Sequence, residues 1–362
     1  MATPSVAPTR RQFVRGLVVG GLALFAGGCV PSPSASPTLA PATATPAVAR
    51  QVATVRVGQT VALSEAGQYI GLDRGYFERQ GLKIEFTQFD SAAQMTAPLA
   101  SGHLDLGTGG VGVGLFNALA RGIPIRIAGP QARHFPGASA VHLMLRRDLA
   151  DDGLVHGYAD LRGRKVALNG RGMPPEYGLA LALAQVGLPL SDVDVVELGF
   201  PDMTAAFASG AIDAAVQNEP GATQAVSRGL AVKWHEMGEL APGIQFTVVL
   251  YSPEFAQQEV ARRWMVAYLQ GVRDYNDAFR MGRGRAELVD LLTRYTPVKD
   301  PGLYAHMGFA YIDPDGRIDE PSLTEQLTWY AQTGQITGPV DLHQAIDTSF
   351  AEFALERLGP YA

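Results

Sequence analysis

An eleven-residue pattern occurs twice in this chain, 108 residues apart, and it constrains the fold more than any other feature. Seven of the eleven positions are identical between residues 95–105 and residues 203–213. Each copy is an Ala-rich helical stretch that ends at Ser-Gly, and an Arg-Gly pair follows further on, at Arg121-Gly122 and at Arg228-Gly229. Whether by duplication or by convergence, the repeat predicts two related α/β units. Ligand sites are common between such units, so we expect a cleft there.

Short β-rich runs alternate with helical stretches from Thr54 onwards, which favours α/β layers with mostly parallel sheets. Apolar and aromatic residues recur every three or four positions over 254–280, which predicts a long helix with a buried stripe. A helix and turn are expected over 68–80, and a closing helix over 345–358. Strands are predicted at residues 54–58, 83–86, 104–107, 125–129, 141–146, 165–169 and 193–198.

The first fifty residues have the pattern of an export signal and an anchor. Arg10-Arg11 precedes the uncharged run 16–28, which is too short to span a membrane, so residues 1–28 predict a twin-arginine signal peptide. Cys29 follows Ala-Gly-Gly as in a bacterial lipobox, which predicts lipidation of its sulfur. Five prolines among Ser, Thr and Ala follow, so we expect residues 29–51 to be an extended tether.

Composition and motifs exclude several classes of chemistry. The formal net charge of −6 argues against nucleic-acid binding, and a single cysteine excludes a disulfide framework. The seven histidines are too far apart in sequence to predict a metal site. Residues 107–112 match G-x-G-x-x-G, but no acidic residue follows where a dinucleotide ribose would need one. We therefore predict no cofactor, no metal and no catalytic residue.

The remaining candidates are polar groups just after predicted strands, where open α/β sheets bind ligands. They lie in five loops, at residues 59–68, 108–110, 131–135, 169–176 and 217–219. The candidate ligand-binding residues are Gln59, Glu65, Tyr69, Thr108, Gly109, Arg133, Asn169, Arg171 and Glu219.

Three of these candidates have an alternative interpretation that the sequence leaves open. Free amides at the helix start after Asn169, with Arg171 beside them, would favour an anionic or strongly polar group, or else Arg171 is a solvated surface charge. Glu219 either accepts a hydrogen bond from the ligand or serves as a helix-start carboxylate. Tyr69 either stacks on a planar solute or packs in the core.

Several segments together resemble the sulfonate-, taurine-, nitrate- and thiamine-precursor-binding proteins. The resemblance covers roughly residues 54–280 and rests on the order and spacing of its elements. It includes Gly75-Tyr76-Phe77 before Gly81-Leu82, the segment 160–167, Gly187-Leu188, and residues 210–215 leading to Glu219-Pro220. The chain departs from the usual family pattern at Arg171, where Ser or Thr is common, and at Asn218, where Trp is common.

The resemblance implies an α/β, two-lobed type II periplasmic-binding-protein fold with a ligand cleft between the lobes. We expect one lobe from residues 52–145 and 246–362 and the other from residues 146–245. It also implies an extracytoplasmic, monomeric lipoprotein that delivers a small solute to a separate ABC permease and ATPase. The alternatives are an enzyme on the same scaffold, such as a chorismate-dehydratase-like lyase, or a ligand sensor for a membrane receptor.

Overall fold

The computed structural model of the chain describes residues 52–362. The predicted signal peptide, tether and lipidation at Cys29 lie outside these residues. The strands are β1 (Ala53–Gln59), β2 (Leu82–Gln88), β3 (Leu106–Gly110), β4 (Arg126–His134), β5 (Val141–Arg146), β6 (Lys165–Leu168), β7 (Asp194–Glu197), β8 (Ala214–Asn218), β9 (Ala231–Glu236) and β10 (Ile244–Tyr251).

Helices precede or follow most strands, as the alternating pattern predicts. The α-helices are α1 (Ala66–Asp73), α2 (Tyr76–Arg79), α3 (Thr96–Ala100), α4 (Val113–Ala120), α5 (Arg147–Asp151), α6 (Pro174–Ala184), α7 (Phe200–Ala208), α8 (Gly221–Ser227), α9 (Met237–Leu240), α10 (Glu259–Phe279), α11 (Arg285–Tyr295), α12 (Glu320–Gln332), α13 (Leu342–Ala345) and α14 (Ser349–Leu358). Short 3-10 helices cover Leu63–Glu65, Ala92–Met95, Tyr158–Leu161, Leu190–Asp192, Phe255–Gln257 and Pro301–His306.

The strands form two five-stranded sheets with matching topology. The first sheet has the order β2-β1-β3-β10-β4 and the second has the order β7-β6-β8-β5-β9. In the first sheet, β10 is antiparallel to both of its neighbours. In the second sheet, β5 takes the equivalent fourth position and is also antiparallel to both neighbours. Four strands of each sheet therefore run in one direction, which confirms the predicted α/β fold with mostly parallel sheets.

The chain passes between the two sheets twice, from β4 to β5 and from β9 to β10. The first crossing lies between His134 and Val141, and the second lies between Glu236 and Ile244. The domain boundaries predicted from sequence, at residues 145/146 and 245/246, fall at the end of β5 and at the start of β10. The division into domains remains a prediction, and we propose the two crossings as its boundaries.

The long helix α10 carries the aromatic stripe that the sequence predicts, and the stripe is buried. Trp264 and Tyr268 are fully buried and their rings stack with centroids 4.9 Å apart. The helix begins at Glu259, five residues later than predicted, because residues 255–257 form a separate 3-10 turn. It packs across α1 on the first sheet, and α14 closes the same core.

Candidate functional site

The carboxyl ends of strands from both sheets border one cavity. Residues at or just after the ends of β1, β3, β6 and β8 line it, together with residues of β4, β5 and β10 near the two crossings. Its walls are mostly apolar and include Leu63, Val141, Met173, Phe200 and Phe246. The polar residues that line it are Thr60, Ser64, His134, Asn169, Asn218, Glu219 and Thr247. This is where an open α/β sheet is expected to bind a ligand.

The loops after β3 and β6 touch across the mouth of this cavity. The amide of Val113 donates to the carbonyl oxygen of Gly172 at 2.8 Å. The space open to the centre of a water-sized sphere is about 40 Å³, which is room for a few water molecules. The two loops are thus in direct contact beside the cavity in this structure.

Glu219, one of the predicted ligand-binding residues, lines the cavity but is fully buried and has its carboxylate bonded within the protein. Oε2 accepts from the amide of Thr223 at 3.0 Å, and Oε1 accepts from the Thr223 hydroxyl at 3.0 Å and from the amide of Gly308 at 3.2 Å. The ammonium group of Lys233 also donates to Oε1. These contacts give Glu219 the helix-start role at α8, which was one of its two predicted interpretations.

The electrostatic surroundings of Glu219 favour its charged form. Burial acts to raise the pKa of Glu219, but the neighbouring His142 ring and the charge of Lys233 outweigh burial and hold the pKa below its ordinary value. The backbone oxygen of Glu219 accepts from the amide of Leu63 at 3.2 Å, in the segment after β1. Glu219 therefore links the second sheet to the first beside the cavity.

Four other predicted residues form a buried network that does not line the cavity. The Oε1 atom of Glu65 accepts from the amide of Thr60 at 2.8 Å and from the Thr108 hydroxyl at 3.2 Å. The Tyr69 hydroxyl lies 3.0 Å from Oε2 of Glu65 and 3.1 Å from the side-chain oxygen of Gln59. Burial raises the pKa of Glu65 to about 7, and burial beside Glu65 raises the pKa of Tyr69.

The role of Tyr69 in this arrangement is packing. Its ring is stacked on Tyr295 with centroids 5.4 Å apart, and it meets Phe86 edge-on. Thr60, which lines the cavity, is hydrogen-bonded to Glu65. The buried network therefore holds a residue of the cavity wall in place.

The two predicted arginines do not line the cavity. Arg133 pairs with Asp319, donates to the carbonyl of Gly243 at 3.2 Å and lines a separate cavity of about 290 Å³. Arg171 is half exposed and pairs with Glu176 at 3.2 Å. Among residues 52–362, no lysine or arginine lines the cavity between the sheets.

The start of α6 also differs from the predicted anion site. Pro174 and Pro175 occupy its first two positions and have no amide hydrogen to offer. The buried carboxylate of Glu176 accepts from the amide of Gly172 at 2.7 Å. An internal carboxylate thus takes the position that an anionic ligand would need at this helix start.

Gly109, Asn169 and Glu219 are the predicted residues that line the cavity. Sequence reasoning missed the other polar residues of the lining, which are Thr60, Ser64, His134, Asn218 and Thr247. His134 lies in the candidate loop 131–135, where the sequence analysis predicted Arg133 instead. Asn218 precedes Glu219 in another selected loop, whereas Thr247 lies within β10, and no sequence signal separates it from core residues.

Residues 63–277 match the family described as NMT1/THI5 like. Since the match covers more than half of the chain, the chain belongs to the NMT1/THI5-like family. No protein of curated function matches it by sequence.

Solved structures with the same fold include binding proteins and an enzyme. The alkanesulfonate-binding protein SsuA from Xanthomonas axonopodis pv. citri, bound to MOPS, is 20% identical with a TM-score of 0.66, over 83% of this chain and 100% of that chain. The periplasmic nitrate-binding protein NrtA from Synechocystis PCC 6803 is 15% identical with a TM-score of 0.67, over 85% and 89%. The desulfurization enzyme DSZB is 17% identical with a TM-score of 0.57, over 84% and 99%. At these identities the likeness establishes the periplasmic-binding-protein fold.

Two further observations concern what the described residues do not contain. Residues 52–362 include no helix that is both long and apolar enough to cross a membrane. The same part of the chain has no cluster of three or more His, Cys, Asp or Glu side chains arranged to hold a metal ion.

Proposed function

We propose that this chain is an extracytoplasmic solute-binding lipoprotein of an ABC importer. It captures a small organic or anionic solute, such as a sulfonate, nitrate, pyrimidine or flavin-like molecule, between its sheets and delivers it unchanged to a membrane permease. The observation that carries the proposal is the cavity lined by strand ends of both sheets. Within residues 52–362, two chain crossings connect these sheets. The binding proteins for alkanesulfonate and nitrate have the same fold.

Capture works through contacts that the solute makes with both sheets at once. Asn169 and Asn218 approach the cavity from the second sheet, whereas His134 and Thr247 approach it from the first. A solute that contacts both groups stabilises the closed arrangement over an open one, since it loses half of these contacts on opening. The segments 135–140 and 237–243 are then the hinge.

The N-terminal sequence supports the location. Arg10-Arg11 and the apolar run to residue 28 direct export, and lipidated Cys29 holds a monomer at the membrane through the tether 29–51. The permease and the ATPase are separate chains. An enzyme on the same scaffold and a sensor for a membrane receptor are the alternative functions.

Thermal unfolding of the purified full-length chain tests the proposal. We expect one class in a panel of sulfonates, nitrate, pyrimidines and flavins to raise the melting temperature. A solute at 100 times its dissociation constant adds about 2.7 kcal/mol to the free energy of unfolding. Ala92→Leu, which fills the cavity, should abolish this shift, whereas Ala93→Leu on the exposed face of the same turn should retain it.

Two results would contradict the proposal. One is the absence of a shift with every solute, together with no small molecule in native mass spectra of protein purified without refolding. The other is chemical conversion of a bound solute, which would favour an enzyme on the same scaffold.

A further inference from the structure

Three polar residues of the cavity carry a buried atom that has no hydrogen-bond partner within residues 52–362. These atoms are Nε2 of His134, Oδ1 of Asn169 and Oγ1 of Thr247. Buried polar atoms without a partner are rare because they lose their hydrogen bonds to water and gain none in return. Several residues away from the cavity, among them Gln68, Gln131 and His142, also carry such atoms, so the three are distinguished by lining the cavity. The three cavity atoms are therefore candidates for ligand contacts from both sheets.

The hydrogen bonds of His134 determine which of its ring nitrogens carries the proton. The amide of Ala140 donates to Nδ1 at 3.3 Å, so Nδ1 is an acceptor and the neutral ring has its hydrogen on Nε2. Burial, together with the nearby His142, lowers the pKa of His134 to about 3, so the ring is neutral near pH 7. His134 thus offers the cavity one unpaired N–H donor.

Within residues 52–362, the cavity wall carries no lysine or arginine that could hold a bare anion. Amides at the starts of helices are natural anion donors, but here several donate to the protein's own oxygens: Leu63 to the carbonyl of Glu219, Val113 to that of Gly172, and Thr223 to the Glu219 carboxylate. The charged Glu219 lies in the wall itself. A buried anion with no positive partner is strongly unfavourable.

We propose that the solute is uncharged and carries both a hydrogen-bond acceptor and a hydrogen-bond donor, as the –CO–NH– group of a cyclic amide does. This inference rests on the proposed function. The carbonyl accepts from Nε2 of His134, the N–H donates to Oδ1 of Asn169, and the Thr247 hydroxyl completes either contact. A sulfonate or nitrate group offers acceptors alone and leaves Asn169 Oδ1 unpaired.

The rest of the solute meets apolar surface. Phe200 and Phe246 both line the cavity, Phe200 at the start of α7 beside the second sheet and Phe246 on β10 of the first. A planar ring attached to the amide would place its apolar faces against these two side chains.

Calorimetric titration of the full-length chain at pH 7 tests the inference. The neutral probes are uracil, succinimide and 2-piperidone, and the anionic probes are methanesulfonate and nitrate. We expect at least one neutral probe to bind and neither anion to bind. Asn169→Leu and Thr247→Val should each weaken that binding roughly three- to tenfold, the effect of losing one neutral hydrogen bond. Thr328→Val, on the exposed face of α12, should leave it unchanged.

Thr247→Val provides a second readout that a purely structural role would not give. It removes a buried hydroxyl that has no partner and keeps the side-chain shape. The ligand-free variant should therefore melt at the same or a higher temperature than the parent chain while binding the amide more weakly.

The outcomes separate the two proposals. Binding of methanesulfonate or nitrate alone would overturn the inference and leave solute binding intact. Amide binding that neither Asn169→Leu nor Thr247→Val weakens would also overturn it. Binding of no probe, together with no co-purified molecule in native mass spectra, would overturn the inference and the proposed function together.

Discussion

Two buried glutamates near the cavity, Glu65 and Glu219, have opposite electrostatic surroundings. Glu219 contacts the ammonium group of Lys233, and its pKa lies below the ordinary value. Within residues 52–362, Glu65 accepts hydrogen bonds from hydroxyl and amide groups, and burial raises its pKa to about 7. The sequence predicted both as ligand-binding residues. It did not predict their different surroundings, because Lys233 lies 14 positions beyond Glu219.

The raised pKa of Glu65 predicts that the protein loses stability as the pH rises from about 4.5 to about 7. In that range the folded state retains a proton on Glu65 that the unfolded state has released, so the free energy of unfolding falls with pH. The full difference is about 3 kcal/mol. Urea unfolding of Glu65→Gln between pH 4.5 and 7.5 should show a flatter profile than the parent chain.

Glu78→Gln is the matched control, because Glu78 is exposed on α2. Its profile should follow that of the parent chain. Equal slopes for Glu65→Gln and the parent chain would contradict the prediction. The contribution of Glu219 has the opposite sign and is lost only as the pH falls below the ordinary carboxyl range.

Among the elements, the repeated pattern forms the same structure twice. Its first copy leads through α3 into β3, and its second leads through α7 into β8, which is the central strand of the other sheet. Gly102 and Gly210 both have φ near +69°, the left-handed region that glycine adopts readily. The sequence predicted this correspondence because the turn and the aspartate after it are identical in both copies.

The repeated aspartates make equivalent contacts. Asp105 accepts from the amide of Arg56 at 2.7 Å, and Asp213 accepts from the amide of Lys165 at 3.0 Å, each tying the central strand to its parallel neighbour. We expect Asp105→Ala and Asp213→Ala each to lower the free energy of unfolding by about 1–3 kcal/mol, since each leaves a strand amide unpaired. Urea unfolding measures this.

Asp151→Ala, at an exposed position on α5, should change stability by less than about 0.5 kcal/mol. A loss confined to one of the two repeated aspartates would show that the copies differ in energy despite their matching geometry.

At the scale of the whole molecule, the loops at the mouth approach so closely that a side chain would separate them. A Cβ atom on Gly112 would lie 2.3 Å from the carbonyl oxygen of Gly172. The backbone of Gly112 is extended, so an alanine there is free of local strain. Gly112→Ala should therefore favour the open arrangement, with a larger radius of gyration in X-ray scattering and solute binding about tenfold weaker, equivalent to about 1.4 kcal/mol.

Gly114→Ala is the matched control two residues away. Its Cβ atom would lie 3.4 Å from the nearest atom, Oγ1 of Thr96, which is an ordinary contact. We expect its scattering and binding to match the parent chain. A Gly112→Ala protein that scatters and binds like Gly114→Ala would show that the mouth contact does not control closure.

Local patterns predicted the two related units and the succession of strands and helices along the chain. They did not predict which residues line the cavity. Both arginines were predicted to bind the ligand, yet Arg133 is paired with Asp319, far along the sequence, and Arg171 with Glu176. Which polar groups remain unpaired depends on such partners, and for His134 it depends on the amide of Ala140 in the first crossing. Periodicity carries no information about these tertiary contacts.

The two crossings also set the order in which the sheets are completed during synthesis. All five strands of the second sheet lie in one continuous stretch, from Val141 to Glu236, whereas β10 of the first sheet begins at Ile244. During synthesis, all five strands of the second sheet are thus available before β10 is made. The first sheet still lacks the strand that lies between β3 and β4. A nascent chain interrupted near residue 240 would carry one finished sheet and one that awaits its fifth strand.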